Sequence, residues 1–295
     1  MTTPILYNKY EIIPCYEPYD KDTKKIEIHK ECKFVRYLPK SDRNEDTHLA
    51  VLVHHYEDGT ASKELKIIKD YKRPIWVTKK INRNYKDKKE FEHIDKLQFI
   101  PTTQSDMDNE ICRALEIQPS PYNLRTLKDS PYIYGYDVPS TAFISYFYKK
   151  ADNDFISPYK VVNLDIENDI DGEGEITIIT LSTLGFRHTA ALRRLYTGLY
   201  DNDEDIISAI KKKSKESLPD TKALRACEKY DVSLHKNDLE LIKFIYGMVH
   251  KMMPDFITYH NMVYDISKII ERLDKHGIYS ANILADPSIP KNLKK

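Results

Sequence analysis

Three carboxylates in this sequence have the spacing of a cation site. Asp165 and Glu167 close the apolar run Val161-Val162-Asn163-Leu164-Asp165-Ile166-Glu167. Side chains alternate along a strand, so Asp165 and Glu167 would share one side while Ile166 enters the core. The third, Asp265, ends the stretch Asp255-Phe256-Ile257-Thr258-Tyr259-His260-Asn261-Met262-Val263-Tyr264-Asp265. If that stretch is a strand ending beside the first, Asp265 opens the next helix close to the pair. Three converging carboxylates with no base among them repel one another unless divalent cations lie between.

The elements that must position them read as mixed α/β. The strand at 161–167 runs into the acidic, turn-rich Asn168-Asp169-Ile170-Asp171-Gly172-Glu173-Gly174-Glu175. Ile176–Ser182 is a second strand expected to pair antiparallel with it. Asp203–Lys215 has acids in its first turn and lysines in its last, as a helix dipole favours. Asn237 is a good N-cap for a helix with Leu239, Ile242, Phe244, Ile245, Met248 and Val249 on its apolar side, and Pro254 stops it. Phe256–Tyr259 is the next strand. Ile266, Ile269, Ile270 and Leu273 line one face of a last helix, capped by Gly277.

The preceding 150 residues or so read as a strand-rich domain. Lys25–His29 and Ala50–His55 are short strands, the second followed by an Asp58-Gly59 turn. Between 63 and 96, Lys66, Lys69, Lys72, Arg73, Lys79, Lys80, Arg83, Lys86, Lys88 and Lys89 stand among Tyr71, Trp76 and Tyr85. Basic residues interleaved with aromatics suit single-stranded nucleic acid, although a solvated charged face has the same composition. Pro119, Pro121, Pro131 and Pro139 mark 119–139 as an extended connector. Thr141–Tyr148 reads as a strand, and the domain boundary falls near residue 155.

At 295 residues the chain is long enough for two cores, and its formal net charge of zero gives no bulk argument for a polyanion. Cys15, Cys32, Cys112 and Cys227 are scattered, with no C-x-x-C pair, which points to reduced thiols and a cytoplasmic location. No stretch has a signal-peptide pattern or membrane-spanning length, so no membrane partner is expected.

Asp165-Ile166-Glu167 at a strand end resembles the Exo I motif of the 3′–5′ exonuclease domain of family B DNA polymerases. Asn261-Met262-Val263-Tyr264-Asp265 resembles that family's Exo II motif, and Asn237–Ile242 with Pro254–Asn261 resembles its lead-in, especially in bacteriophage members. Tyr132–Asp137 is similar to the connector before Exo I. The resemblance implies an RNase H-like exonuclease domain over 156–295, preceded by a mixed α+β N-terminal domain over 1–155. It implies proofreading hydrolysis of single-stranded 3′ ends of primer-template DNA with two Mg2+ or Mn2+ ions. In such an enzyme two metals about 4 Å apart clamp the attacking and leaving oxygens. By resemblance Asp165 bridges both ions, Glu167 holds one ion and its water, and Asp265 helps hold the second. Ile166, Asn261 and Tyr264 then contact the frayed end. The family's third motif, Tyr-x-x-x-Asp, does not follow Asp265, so a second chain carrying it and the polymerase domain is the expected partner. If the source is viral, the compartment is the host cytoplasm. Tyr16-Glu17-Pro18-Tyr19-Asp20 has that motif's spacing but falls in the N-terminal domain.

Two other readings compete. His250–Asp255 has the His-x4-Asp spacing of another exonuclease class, but Pro254 interrupts it and Asp265 is left without a role. The other is a non-catalytic module that binds DNA or a polymerase through an RNase H-like fold. Phosphate-loop, zinc-protease and nucleophile-elbow signatures are absent from the sequence.

Overall fold

The computed structural model describes residues 12, 14–42, 44–83, 93–149, 155, 157–217 and 229–294. The chain forms two compact units. One is Pro18–Ile156; the other joins Ser157–Lys295 with the residues up to Glu17. The division near 155 matches the change in sequence pattern, but the opening residues belong with the later unit. There the Cys15 N–H donates to the Met252 carbonyl at 2.7 Å and the Tyr16 hydroxyl to Asp255 Oδ2 at 2.7 Å.

The strands before Ser157 form two sheets, all within the Pro18–Ile156 unit apart from Glu17 of the first strand. The two-residue strand β1 (Glu17–Pro18), β2 (Glu27–Leu38), β3 (Thr47–Tyr56) and β4 (Ala61–Lys69) lie in the order β1-β4-β3-β2, with β2, β3 and β4 antiparallel. The β3–β4 turn uses Gly59 at φ +81°, a backbone region that costs glycine nothing. The second sheet has the order β6-β5-β7, from β5 (Arg73–Thr78), β6 (Leu97–Thr102) and β7 (Ile133–Tyr134). Helix α1 (Met107–Leu115) buries Met107, Ile111 and Cys112 against Ile75, Val77 and Ile100.

Two expectations for this unit need correction. The proline-rich connector contains a short helix, α2 (Pro121–Thr126). Proline is favoured at the first helical position, and the Ser120 side chain caps it by accepting the Asn123 N–H. Thr141–Tyr148 is not a strand but most of helix α3 (Ser140–Lys149), which packs on β2. Ser140 and Ile144 are buried and Tyr148 half-buried, whereas Tyr146 and Phe147 face solvent. Burial at every fourth residue is a helical period; β-branched and aromatic content suggested otherwise.

The basic stretch is more structural than its composition suggests. Arg73 is fully buried, donating to Gln104 Oε1 at 2.8 Å and to the Gly135 carbonyl. Arg83 caps α1 by donating to the Ala114 carbonyl at 2.8 Å, and Lys80 pairs with Glu116 at 2.6 Å. Lys86, Lys88, Lys89 and Tyr85 lie outside the described residues.

The later unit carries a five-stranded sheet in the order β11-β10-β9-β8-β12. Its strands are β8 (Val161–Asn168), β9 (Ile176–Thr183), β10 (Phe186–Leu192), β11 (Lys229–His235) and β12 (Phe256–Tyr259). β8 and β10 pair antiparallel with β9, while β12 joins β8 and β11 joins β10 in parallel. Helix α4 (Asp203–Ser217) packs beside β11. Helix α5 (Asp238–Met252) sends Leu241, Ile242, Phe244, Ile245, Met248 and Val249 into the main core, with Val162, Leu164 and Ile166 of β8. Asn237 caps it by accepting the Glu240 N–H at 2.9 Å. Helix α6 (Met262–Lys275) adds Ile269 and Leu273 to that core, and the short α7 (Ala281–Leu284) follows. The architecture is therefore mixed α/β with several sheets. Among the described residues no helix is long and apolar enough to cross a membrane. Cys15, Cys32 and Cys112 are in no disulfide among the described residues, and burial pushes the thiols of Cys32 and Cys112 up; Cys227 lies outside the described residues.

Candidate functional site

β8 runs between β9 and β12, so its backbone is paired on both sides and its side chains have two directions left. Val162, Leu164 and Ile166 take the packed direction; Val161, Asn163, Asp165 and Glu167 take the exposed one. The two carboxylates therefore share one solvent-facing side, as their spacing demands.

The register carries this face across the sheet. Asp165 stands beside Thr180, and Thr180 beside Thr189. The Thr180 and Thr189 hydroxyls are 3.3 Å apart, and the Tyr230 hydroxyl donates to Thr189 Oγ1 at 3.1 Å. Toward β12, the Thr258 hydroxyl donates to Asn163 Oδ1 at 3.1 Å. The acidic pair is flanked on the adjoining strands by neutral hydrogen-bonding groups, with Arg187 farther along the same face, two residues before Thr189.

Asp265 is held differently. It lies in the first turn of α6 and is 3% exposed. Its Oδ2 accepts the Asn261 N–H at 3.1 Å, while Asn261 Oδ1 accepts the Tyr264 N–H at 3.4 Å. This reciprocal arrangement satisfies donors that a helix start leaves over. Tyr264 is 47% exposed, and its hydroxyl donates to Asn168 Oδ1 at 2.7 Å, tying the start of α6 to the end of β8. Burial, with a smaller contribution from Asp265, raises the pKa of the Tyr259 phenol, which hydrogen-bonds the Tyr246 hydroxyl at 2.6 Å.

Among the described residues, no three His, Cys, Asp or Glu side chains are grouped so that they could hold a metal ion. Asp165 and Glu167 are brought onto one face, and Asp265 is not joined with them in one ligand set. The donor chemistry present fits a hard cation held by two carboxylates and water. It does not fit a two-ion clamp, which needs more carboxylate oxygens in one place.

The remaining site expectations divide. Asn261 is exposed and caps α6, and Tyr264 is exposed at its first turn. Ile166 lies in the main core at 6% exposure, so its side chain is not offered to a ligand on the exposed face. His250 hydrogen-bonds the Ile283 carbonyl at 2.8 Å, while Asp255 accepts from the Tyr16 hydroxyl and the Lys160 N–H. Both members of the His-x4-Asp pair thus hold chain segments together. Tyr16 belongs to the same unit as the acidic pair, whereas Asp20 belongs to the other unit, so their shared spacing does not make a site.

Sequence reasoning missed the Thr180–Thr189–Tyr230 hydroxyl row, because its members come from three strands whose register no local pattern reveals. It also missed Asp238, which binds both Arg272 and His276 Nε2, the latter at 2.8 Å. Burial opposes the charge on Asp238, but its hydrogen bonds to Arg272 and His276 outweigh this and hold the carboxyl below its usual range. Comparison with protein-family models gave no match, and comparison with curated proteins gave none either.

Proposed function

We propose that this chain is the N-terminal and 3′–5′ exonuclease portion of a bacteriophage-type family B DNA polymerase, with its sheet unit as an RNase H-like exonuclease domain. One observation carries the reading. Asp165 and Glu167 stand together on the exposed side of a strand whose alternate residues are core, beside neutral amide and hydroxyl groups on the adjoining strands. Exposed paired carboxylates contribute nothing to packing; they suit a divalent cation and a phosphodiester.

Asp165 and Glu167 are the residues that would hold Mg2+ or Mn2+, and the ion supplies Lewis-acid activation of water and neutralises charge on the phosphate oxygens. The protein's own groups bind and orient. Asn163, Thr258 and Thr180 offer amide and hydroxyl contacts beside the pair, and Tyr264 stands at the end of β8 where a terminal nucleotide would enter. Asp265 fixes the Asn261–Tyr264 turn that presents this tyrosine. The ligands that complete the acidic set are proposed to come from a second polypeptide segment carrying Tyr-x-x-x-Asp, together with the polymerase domain.

The test is degradation of a 5′-labelled single strand with a free 3′ end, in Mg2+ or Mn2+. Asp165→Ala with Glu167→Ala is expected to remove all degradation and to leave stability within about 0.5 kcal/mol, as for exposed side chains. Undiminished degradation by the double variant would exclude these carboxylates from catalysis. The non-catalytic alternative, a DNA- or polymerase-binding module, is favoured by the lack of a three-carboxylate group among the described residues. Strand binding without degradation, with or without the second segment, would select it.

A further inference from the structure

The acidic face leads across the sheet to a groove that the exonuclease reading does not use. Beyond Thr180 and Thr189, the Tyr230 hydroxyl bonds Thr189, and its ring lies 4.0 Å under the Arg187 guanidinium. Arg187 in turn donates to Ser214 Oγ on α4. Ser214 lines a groove of about 490 Å³ with Tyr196, Tyr200, Ile210, Lys212, Lys213 and Glu216 among its walls. From β8 to β11 is roughly 14 Å, three strand spacings.

Several cations near this groove have partners: Arg193 pairs with Asp203 at 2.6 Å, and Arg194 pairs with Glu175. Lys211 and Lys229 both approach Asp231, at 3.8 and 3.9 Å. Lys212 and Lys213 are exposed and have no ion-pair partner among the described residues. The two tyrosines supply flat apolar faces; Tyr200 is 42% exposed, while burial, then Tyr230 and Tyr200, raise the Tyr196 phenol. Unpaired lysines beside stacking rings match a polyanion with aromatic groups. Ligand pockets run from roughly 300 to 1,000 Å³, so the volume admits one nucleotide.

We propose that this groove is a second subsite for single-stranded DNA, in which Lys212 and Lys213 contact phosphates and Tyr196 and Tyr200 stack a base. The strand then runs over the Thr180–Thr189–Tyr230 row to the acidic pair. The choice of DNA rests on the exonuclease reading; the groove's cationic and aromatic chemistry does not.

The test reads binding alone, by fluorescence anisotropy of a labelled oligothymidylate with the full chain in EDTA. Lys212→Ala with Lys213→Ala is expected to weaken binding about tenfold at low salt. It should also lower the slope of log affinity against log salt by about 1.4, because each single-strand phosphate contact contributes about 0.7. Tyr200→Ala should weaken binding roughly tenfold, and an abasic strand of equal length should bind the unmutated chain more weakly. The oligomer should also protect Lys212 and Lys213 of the unmutated chain from acetylation, a readout independent of any variant's folding. Unchanged affinity and slope in the double-lysine variant would overturn the proposal, as would equal affinity for the abasic strand or an absence of protection. If the groove variants lose binding while the unmutated chain degrades nothing in Mn2+ even with the second segment added, the exonuclease reading fails and the groove stands.

Discussion

Asp238 is a charge taken out of water, which only good partners make tolerable. Its carboxylate bonds Arg272 and His276, and Arg272 also donates to the Glu173 carbonyl at 3.2 Å, so one buried group holds the start of α5, the end of α6 and the loop after β8. Asp238→Asn leaves Arg272 buried without its counter-charge and is expected to cost about 3 to 5 kcal/mol in denaturant unfolding. Asp238→Asn with Arg272→Met should cost less than the single change, because no unpaired charge remains. A single variant as stable as the unmutated chain would mean that the ion pair is dispensable. None of this was legible beforehand: nothing in the sequence around Asn237 marks Asp238 as a buried ion-pair partner, and Arg272 lies 34 positions away. Asp165 and Glu167 were legible because strand alternation is local and needs no partner. Asp265 was legible as a helix-opening acid, but its capping bond to Asn261 depends on how the chain turns after β12, which the motif does not encode.

At the level of elements, sequence served best where a terminus carries its own chemistry. Asn237 and Pro254 bracketed α5 because a cap and a stop are set by adjacent atoms. Thr141–Tyr148 failed because Ile, Phe and Tyr have strand preferences weak enough for a neighbouring sheet to override. The two conformations group its side chains differently: a strand puts Ile144, Tyr146 and Tyr148 on one face, whereas α3 groups Ser140, Ile144 and Tyr148 and turns Tyr146 outward. Ile144 is 1% exposed against Cys32, Ala50 and Leu52. Ile144→Ala should therefore cost about 2 to 5 kcal/mol, and Tyr146→Ala less than about 0.5 kcal/mol. Equal costs at the two positions in urea unfolding would be the strand's signature and would contradict the helix.

The whole molecule has two compact units, and buried titration distinguishes the later one. His188 and His235 both hydrogen-bond the Ser233 hydroxyl, each at 2.8 Å, and both rings pack on Phe244 of α5. Burial, then the neighbouring His235 and Lys211, depress the His188 pKa to about 3; burial depresses that of His235 to about 4. An unfolded histidine titrates near 6.5, so below that pH the unfolded chain takes up protons that the folded unit refuses. The neutral rings' contribution is complete above about 6.5 and declines as pH falls toward the folded values, by up to about 1.4 kcal/mol per pH unit for each ring. Asp238 also has a depressed pKa, but its contribution is complete above the ordinary carboxylate value near 3.9 and fades only below it. Its loss thus follows that of the histidines in an acid titration. In the first unit, burial also lowers His48, which hydrogen-bonds Ser140 Oγ at 2.7 Å, so acid weakens that unit as well, through one such ring. Thermal unfolding between pH 7.5 and 4.5 should show a midpoint falling with acid, attributable to the later unit by hydrogen exchange at β10 and β11. His188→Gln keeps a polar partner for Ser233 without a group that titrates in this range, and should remove about half of the later unit's slope. A flat midpoint between pH 7.5 and 5, or an unchanged slope in His188→Gln, would mean that these rings take up protons in the folded state and that the buried chain is not neutral.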